Sequence, residues 1–321
     1  MIDNLISVAR QVAALFVLMG IGAMLRRTKL VGDVAIDGLV NILIIVVTTC
    51  VIVDVFQRPF NPADLSSLGI AFALVVFAHF VVIAVAMLCV RHRDENVRRP
   101  LMMATVFSNA GFMGIPLEQA ILGDRGVFFG AVYVVVFNLL VWSWGLRVME
   151  GPIVRRQGSG VGGGMWKMVL NPGSVGVMLG LPLFLFSLRL PSFLATPVHH
   201  MANMNTPLAM IVIGYELAGA KLGRVLGNPS VYVASFIRLI GYPLFFVAML
   251  YPLRTHLDRD MMLALCVAAS APVAAMVSMF ATKFHRDVDT SVAIVSGTTL
   301  VSILTMPAVI AVAMELLGGG R

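Results

Sequence analysis

Apolar residues run along this chain in long blocks, separated by short polar or glycine-rich connectors. Each block approaches the ~20 residues that carry an α-helix across ~30 Å of hydrocarbon. The pattern predicts ten membrane-spanning helices, at 4–25, 34–56, 68–90, 100–122, 126–149, 169–188, 199–219, 229–251, 261–283 and 288–316. The one long connector, 150–168, contains Gly158-Ser159-Gly160-Val161-Gly162-Gly163-Gly164 and reads as a flexible link between halves 1–149 and 169–321. The expected fold class is an all-α membrane protein of two five-helix halves.

Two blocks are interrupted at mid-span. The fourth holds Phe107-Ser108-Asn109-Ala110-Gly111-Phe112-Met113-Gly114-Ile115-Pro116, and the ninth holds Ala268-Ala269-Ser270-Ala271-Pro272. Proline lacks an N–H and clashes with the preceding turn. Pro116 and Pro272 are therefore expected to break their helices and to free carbonyls near residues 112 and 268. Lipid cannot satisfy such groups, so they must face protein or a wet cavity. Interrupted spans at corresponding places in two halves point to the binding site of a secondary transporter. Five spans per half reverse the sense of the second half, which predicts an inverted repeat with helices 4 and 9 broken and crossing.

Charge sets the orientation. Of 321 residues 59% are hydrophobic and only 12% charged, about half the ~25% of soluble domains. The net charge is +7. Fifteen Lys and Arg fall in the odd-numbered connectors, among them Arg26, Arg27, Arg98, Arg99 and Arg286; the even connectors and the termini hold six. Basic loops stay cytoplasmic, so both termini are expected outside the cytoplasm of a multi-pass inner (plasma) membrane protein. The basic excess thus encodes topology, and no nucleic acid partner is expected. Cys50, Cys89 and Cys266 form no CxxC pair, and no metal or cofactor is expected. HExxH, GxSxG and GxxxxGK[ST] are absent, which leaves enzymes and ATP-driven pumps unsupported.

The polar residues near the breaks define the chemistry. No Asp or Glu lies between 104 and 117 or between 264 and 282. A sodium/proton antiporter needs titratable carboxylates there. This chain offers Ser108, Asn109, Asn138, Ser270 and half-helix ends instead, a set suited to a small organic acid anion. A charge at mid-span costs roughly 2.5–3.5 kcal/mol on insertion scales. Arg238 is thus expected either to attract the anion or to brace backbone carbonyls. Asn205 either lines the site or caps span seven, and Glu118 reads as an interfacial group suited to proton or cation coupling. His79 reads as a packing residue. Two rivals stand beside an organic-anion carrier: a cation-coupled symporter or antiporter, and a membrane sensor that binds without transporting.

At these residues the chain resembles the auxin efflux carrier family, which includes plant auxin exporters and bacterial carriers. Met113-Gly114-Ile115-Pro116-Leu117 is the most specific match; Val135-Val136-Phe137-Asn138-Leu139-Leu140-Val141-Trp142, Asn171-Pro172, Arg238 with Gly241 and Pro243, and Ala269-Ser270-Ala271-Pro272 extend it along the chain. The resemblance implies a ten-helix inverted repeat of the sodium/proton-antiporter type and a homodimer. It also implies a scaffold of spans one, two, six and seven, and a mobile unit whose crossover binds an organic anion and moves like an elevator. Three departures stand out. Ile45–Cys50 lacks the proline many members carry, Gly173 replaces an Asn, and Thr282-Lys283 replaces an acidic residue. They leave malate, malonate or an indole acid open as substrate.

Overall fold

A computed structural model describes residues 2–155, 172–219 and 228–318. The Gly158–Gly164 run, Asn171, Lys221 and Arg224 lie outside them. Apolar length sets the architecture. Among the described residues the chain is almost wholly helical, with an isolated β-bridge and no named strand. Five stretches are long and apolar enough to cross a membrane by length and composition: Asp33–Phe56, Pro62–Cys89, Ala110–Gly151, Pro229–Leu253 and Val288–Gly318. We number the helices α1 (Ile2–Arg27), α2 (Asp33–Phe56), α3 (Pro62–Cys89), α4 (Glu95–Val106), α5 (110–122), α6 (124–150), α7 (Pro172–Leu185) and α8 (Ser192–Asn203). They continue with α9 (Asn205–Ala218), α10 (Pro229–Leu253), α11 (Arg259–Ser270), α12 (Met276–Lys283) and α13 (Val288–Gly318).

Several ends differ from the apolar blocks for local reasons. Helix α3 starts at Pro62, not 68, because Asn61 accepts a hydrogen bond from the Ala63 amide and Pro62 suits the first helical position. The predicted connector between α5 and α6 shrinks to a turn at Gly123, whose φ of 65° favours glycine. Span seven begins at Ser192, after Pro191, and not at 199. The added stretch 192–198 follows Pro191 and holds Pro197 within the helix, and His199 Nδ1 lies 2.9 Å from Asp54 of α2. Asn205 therefore opens α9 at an internal junction, buried, and not at the outer end of the span.

The fourth span does break, but not at Pro116. The chain leaves α4 at Phe107 and re-enters a helix at Ala110. Pro116 lies buried inside α5, just beyond a wide π-helical turn, Ala110–Gly114. Within that turn the Asn109 carbonyl accepts from both Met113 (3.0 Å) and Gly114 (3.2 Å). The extra residue shifts the ladder, and the missing proline N–H is absorbed without ending the helix. Pro272 sits at the second break, where Ala271 turns extended (φ −61°, ψ 146°). The carbonyl of Ala268 keeps a weak partner, the Ala271 amide at 3.4 Å.

Glycines decide how closely helices approach. A Cβ on Gly22 of α1 would lie 2.0 Å from the Ile211 carbonyl oxygen of α9, and one on Gly214 of α9 would lie 1.9 Å from that of Met19. On α7, Cβ atoms at Gly176 and Gly180 would come within 3.0 Å of Ile52 and 2.9 Å of Phe56 on α2. Small residues let membrane helices exchange dispersion contacts at short range, where no hydrophobic drive joins them. Two arginines tie connectors to helix starts. Arg125 meets Asp258 and Asp260 (3.1 Å) before and in α11, and Asp64 (3.4 Å) in α3. Arg286 donates to Asn96 in the first turn of α4 (2.8 Å) and to the Met149 and Glu150 carbonyls at the end of α6.

Gly214→Val should destabilise the protein by about 3 kcal/mol, because the neighbouring backbone cannot yield to the added atoms. Gly20→Ala, with open space around it, should be near neutral. Thermal unfolding of the two variants in detergent checks the contrast.

Candidate functional site

Four helix ends meet where the two broken spans cross. The Asn109 amide donates to the Pro272 carbonyl (2.7 Å) and the Ala274 amide to the Phe107 carbonyl (3.0 Å). These bonds make an antiparallel bridge between Ser108 and Val273. Extended residues inside a membrane protein need such partners, and each break supplies the other's.

The ends sort by sign. Helices α4 and α11 point their C-termini at Arg238, which is fully buried in a π-helical turn of α10. Its guanidinium donates to the Val106 carbonyl (3.0 Å) and the Ala269 carbonyl, the last turns of those two helices. It also lies 4.6 Å from the centre of the Tyr242 ring. The planar fork thus caps two helices at their negative ends. No carboxylate of the described residues ion-pairs with it. Of the two roles open to Arg238, bracing is the one its bonds perform.

The positive ends face a cavity of about 270 Å³. Ser108, Asn109, Gly111 and Phe112 at the start of α5 line it, as do Ala274, Ala275 and Met276 at the start of α12. The first amides of α5 have no partner within it, whereas at α12 the Val277 and Ser278 amides donate to the Ala274 and Ala275 carbonyls (3.1 Å each). Asn138 and Trp142 of α6 complete the polar lining, with Thr48 of α2. Asn138 donates one amide hydrogen to the Val134 carbonyl (2.8 Å) and keeps its oxygen and second hydrogen. The Asn109 side chain makes no capping bond. The Trp142 indole N–H is buried and has no partner among the described residues. Phe137, Val134 and Met279 supply the apolar walls. Among the described residues no Asp, Glu, Lys or Arg lines this space, and no three His, Cys, Asp or Glu groups gather as a metal set.

Ser108, Asn109 and Asn138 thus come together at one cavity, while Ser270, Pro116, Pro272, Asn205, Arg238 and Glu118 do not line it. Ser270 turns its hydroxyl back to the Val267 carbonyl (2.8 Å). Pro272 acts through its carbonyl at the crossing. Glu118 is fully buried, not interfacial. Thr48 and Trp142 escaped the sequence reading. Thr48 follows the π-helical turn Leu43–Val47 and Trp142 lies within the turn Val141–Gly145; such turns re-aim side chains without any proline. Thr48 marks its turn with a hydroxyl bond to the Leu43 carbonyl (2.9 Å). The Leu43–Val47 turn overlaps the span-two segment where the family proline is missing.

A polar chain runs behind the crossing. Ser108 donates to the Tyr133 hydroxyl (3.3 Å), which donates to that of Tyr242 (3.4 Å). The buried His79 ring lies 5.1 Å from Tyr133 and 6.1 Å from Tyr242. Its Nδ1 contacts the Val75 carbonyl (2.8 Å), so the hydrogen sits there and Nε2 is left as an acceptor with no partner among the described residues. Two other spaces differ in kind. A hollow of about 30 Å³ beyond Asn109 includes Glu216, Ser296 and Thr299. A cleft of about 410 Å³ between α10 and α13, lined mainly by apolar residues such as Phe236 and Leu300, lies apart from the breaks.

Arg238→Met should cost about 3 kcal/mol, because two buried carbonyls lose their donors. Arg238→Lys should recover part of the loss, since an ammonium cannot reproduce the fork. Thermal stability of the purified variants measures both.

Comparison with known proteins places this arrangement. The model of a family described as membrane transport protein matches residues 7–159 and 163–310. A protein of Methanothermobacter thermautotrophicus named an uncharacterized transporter is 26% identical over 227 residues, covering 70% of this chain and 71% of that one. With apolar helices able to cross a bilayer and a family match along nearly its whole length, the chain belongs to the membrane transport proteins of the auxin efflux carrier family.

Proposed function

We propose that this protein is a secondary transporter of a small organic acid anion, working by elevator-like alternating access. One observation carries the reading: the cavity beside the crossing presents donors and, among the described residues, no fixed charge. Asn109, Asn138 and the starts of two helices converge on it. A carboxylate is the complementary ligand, because it accepts several hydrogen bonds and is drawn to helix N-termini. About 270 Å³ suits a small acid such as malonate or malate; the rings of Trp142 and Phe137 keep an indole acid as the alternative.

The glycine-sealed pairs α1/α9 and α2/α7 support a rigid scaffold. The ties of Arg125 and Arg286 are mirrored: each lies just after one broken span and engages the start of the other. That reciprocity favours two inverted halves and a crossing unit that moves as one body. The reading includes a homodimer and both termini outside the cytoplasm, as the basic connectors imply.

Uptake of radiolabelled malonate, malate and indole-3-acetate into proteoliposomes tests it. One of these should accumulate, and Asn109→Ala should weaken it about tenfold or more, the worth of a hydrogen bond to a charged group. Transport unchanged by that substitution refutes the site. Binding without flux points to a sensor instead.

A further inference from the structure

We infer that Glu118 is a proton-binding site that couples proton and anion movement; the coupling rests on the carboxylate-carrier reading above. Glu118 lies on α5 six residues beyond Phe112 of the cavity lining, roughly 9 Å along the helix at 1.5 Å per residue. Its side chain is fully buried, and neither carboxyl oxygen has a hydrogen-bond partner among the described residues. Glycines make the room. A Cβ on Gly130 of α6 would lie 1.7 Å from Glu118 Oε2. A Cβ on Gly114 would lie 3.7 Å from Oε1 and 3.5 Å from the Ala268 Cα of α11. The carboxyl thus fills a glycine-lined slot between α5, α6 and the first half of the other broken span.

An ionised carboxylate held there without a partner is strongly disfavoured, so the group is neutral and carries a proton. The protonatable or charged groups on the elements packed around it are engaged elsewhere or out of reach. Tyr133 of α6 bonds Ser108 and Tyr242. Arg125 of α6 pairs with Asp64, Asp258 and Asp260. Cys266 of α11 is a buried free thiol, and Arg259 lies at the far end of that helix. None bonds Glu118.

Two consequences connect the proton to the anion. Among the described residues no cation lines the cavity to offset a like charge nearby. Ionised Glu118 would repel a bound carboxylate across low-dielectric protein, an effect on the order of tenfold in affinity at this separation. By linkage the bound anion then strengthens proton binding by the same factor. Anion and proton therefore each favour the other's binding by about tenfold, which biases them to move together.

Infrared difference spectra and malonate binding test this on the full chain in lipid. At neutral pH the wild type should show the carbonyl band of a buried protonated carboxyl, missing in Glu118→Gln. Absence of that band in the folded wild type overturns the proton site. Malonate affinity should fall about tenfold as pH rises through the band's titration, and in Glu118→Gln it should stay at the wild type's low-pH value. The same pH dependence in both proteins overturns the coupling. Failure of malonate, malate and indole-3-acetate to bind at any pH defeats the carrier reading and the coupling with it, while the band still decides the proton site. Should Glu118→Gln not fold, the wild-type band and its loss in Glu118→Ala decide instead.

Discussion

Everything near the cavity depends on two chain segments that cannot be helical and cannot meet lipid. Residues 107–109 and 271–275 solve the problem for each other, through the bonds Asn109–Pro272 and Ala274–Phe107. In water such a short bridge would add little. In hydrocarbon the alternative is unpaired backbone, which costs several kcal/mol per group. The crossing then fixes four helix ends in space. Negative ends gather at Arg238 and positive ends at the cavity. One buried cation can serve two helix C-termini because they arrive together, and the opposite pole is left free for a ligand.

The remainder of the molecule holds this crossing in place. Tyr133 and Tyr242 join the first break to α6 and α10. Arg125 and Arg286 fasten the outer ends of the broken spans. Apart from these, α1/α9 and α2/α7 close on glycines: backbone meets backbone in the first pair, and the Ile52 and Phe56 side chains lie against the glycines in the second. Polar ties surround the crossing, whereas small-residue seams join the helices beside it. The α1/α9 seam resists sliding because a Cβ added at Gly22 or Gly214 meets backbone, not a flexible side chain.

Much of the helical layout was legible from apolar runs: α2, α10 and α13 end within a few residues of their blocks. The place of the first break was not. Proline reports a missing N–H, but a break forms where both freed ends find partners, and those for Phe107–Asn109 come from residues more than 160 positions away. A π-helical turn absorbed Pro116 locally instead. Arg238 was ambiguous for the same reason, since its acceptors are Val106 and Ala269. Thr48 and Trp142 had no apolar signature, because a one-residue widening of a turn leaves hydrophobic periodicity intact. Asn109 and Asn138 stood out because an amide inside a long apolar run is itself a signal.

The indole of Trp142 has a further meaning beside Phe112, Phe137, Met276 and Met279. Donors alone do not tell a carboxylate from chloride, since both accept hydrogen bonds and carry one negative charge. Discrimination then falls to the greasy walls. A chloride ion entering this space would surrender water on every side and find donors on only some. An organic acid brings its own carbon skeleton to lie against the rings and thioethers, so only its charged head needs the donors. The walls of the cavity, more than its polar groups, would let such a protein ignore the commonest anion around it.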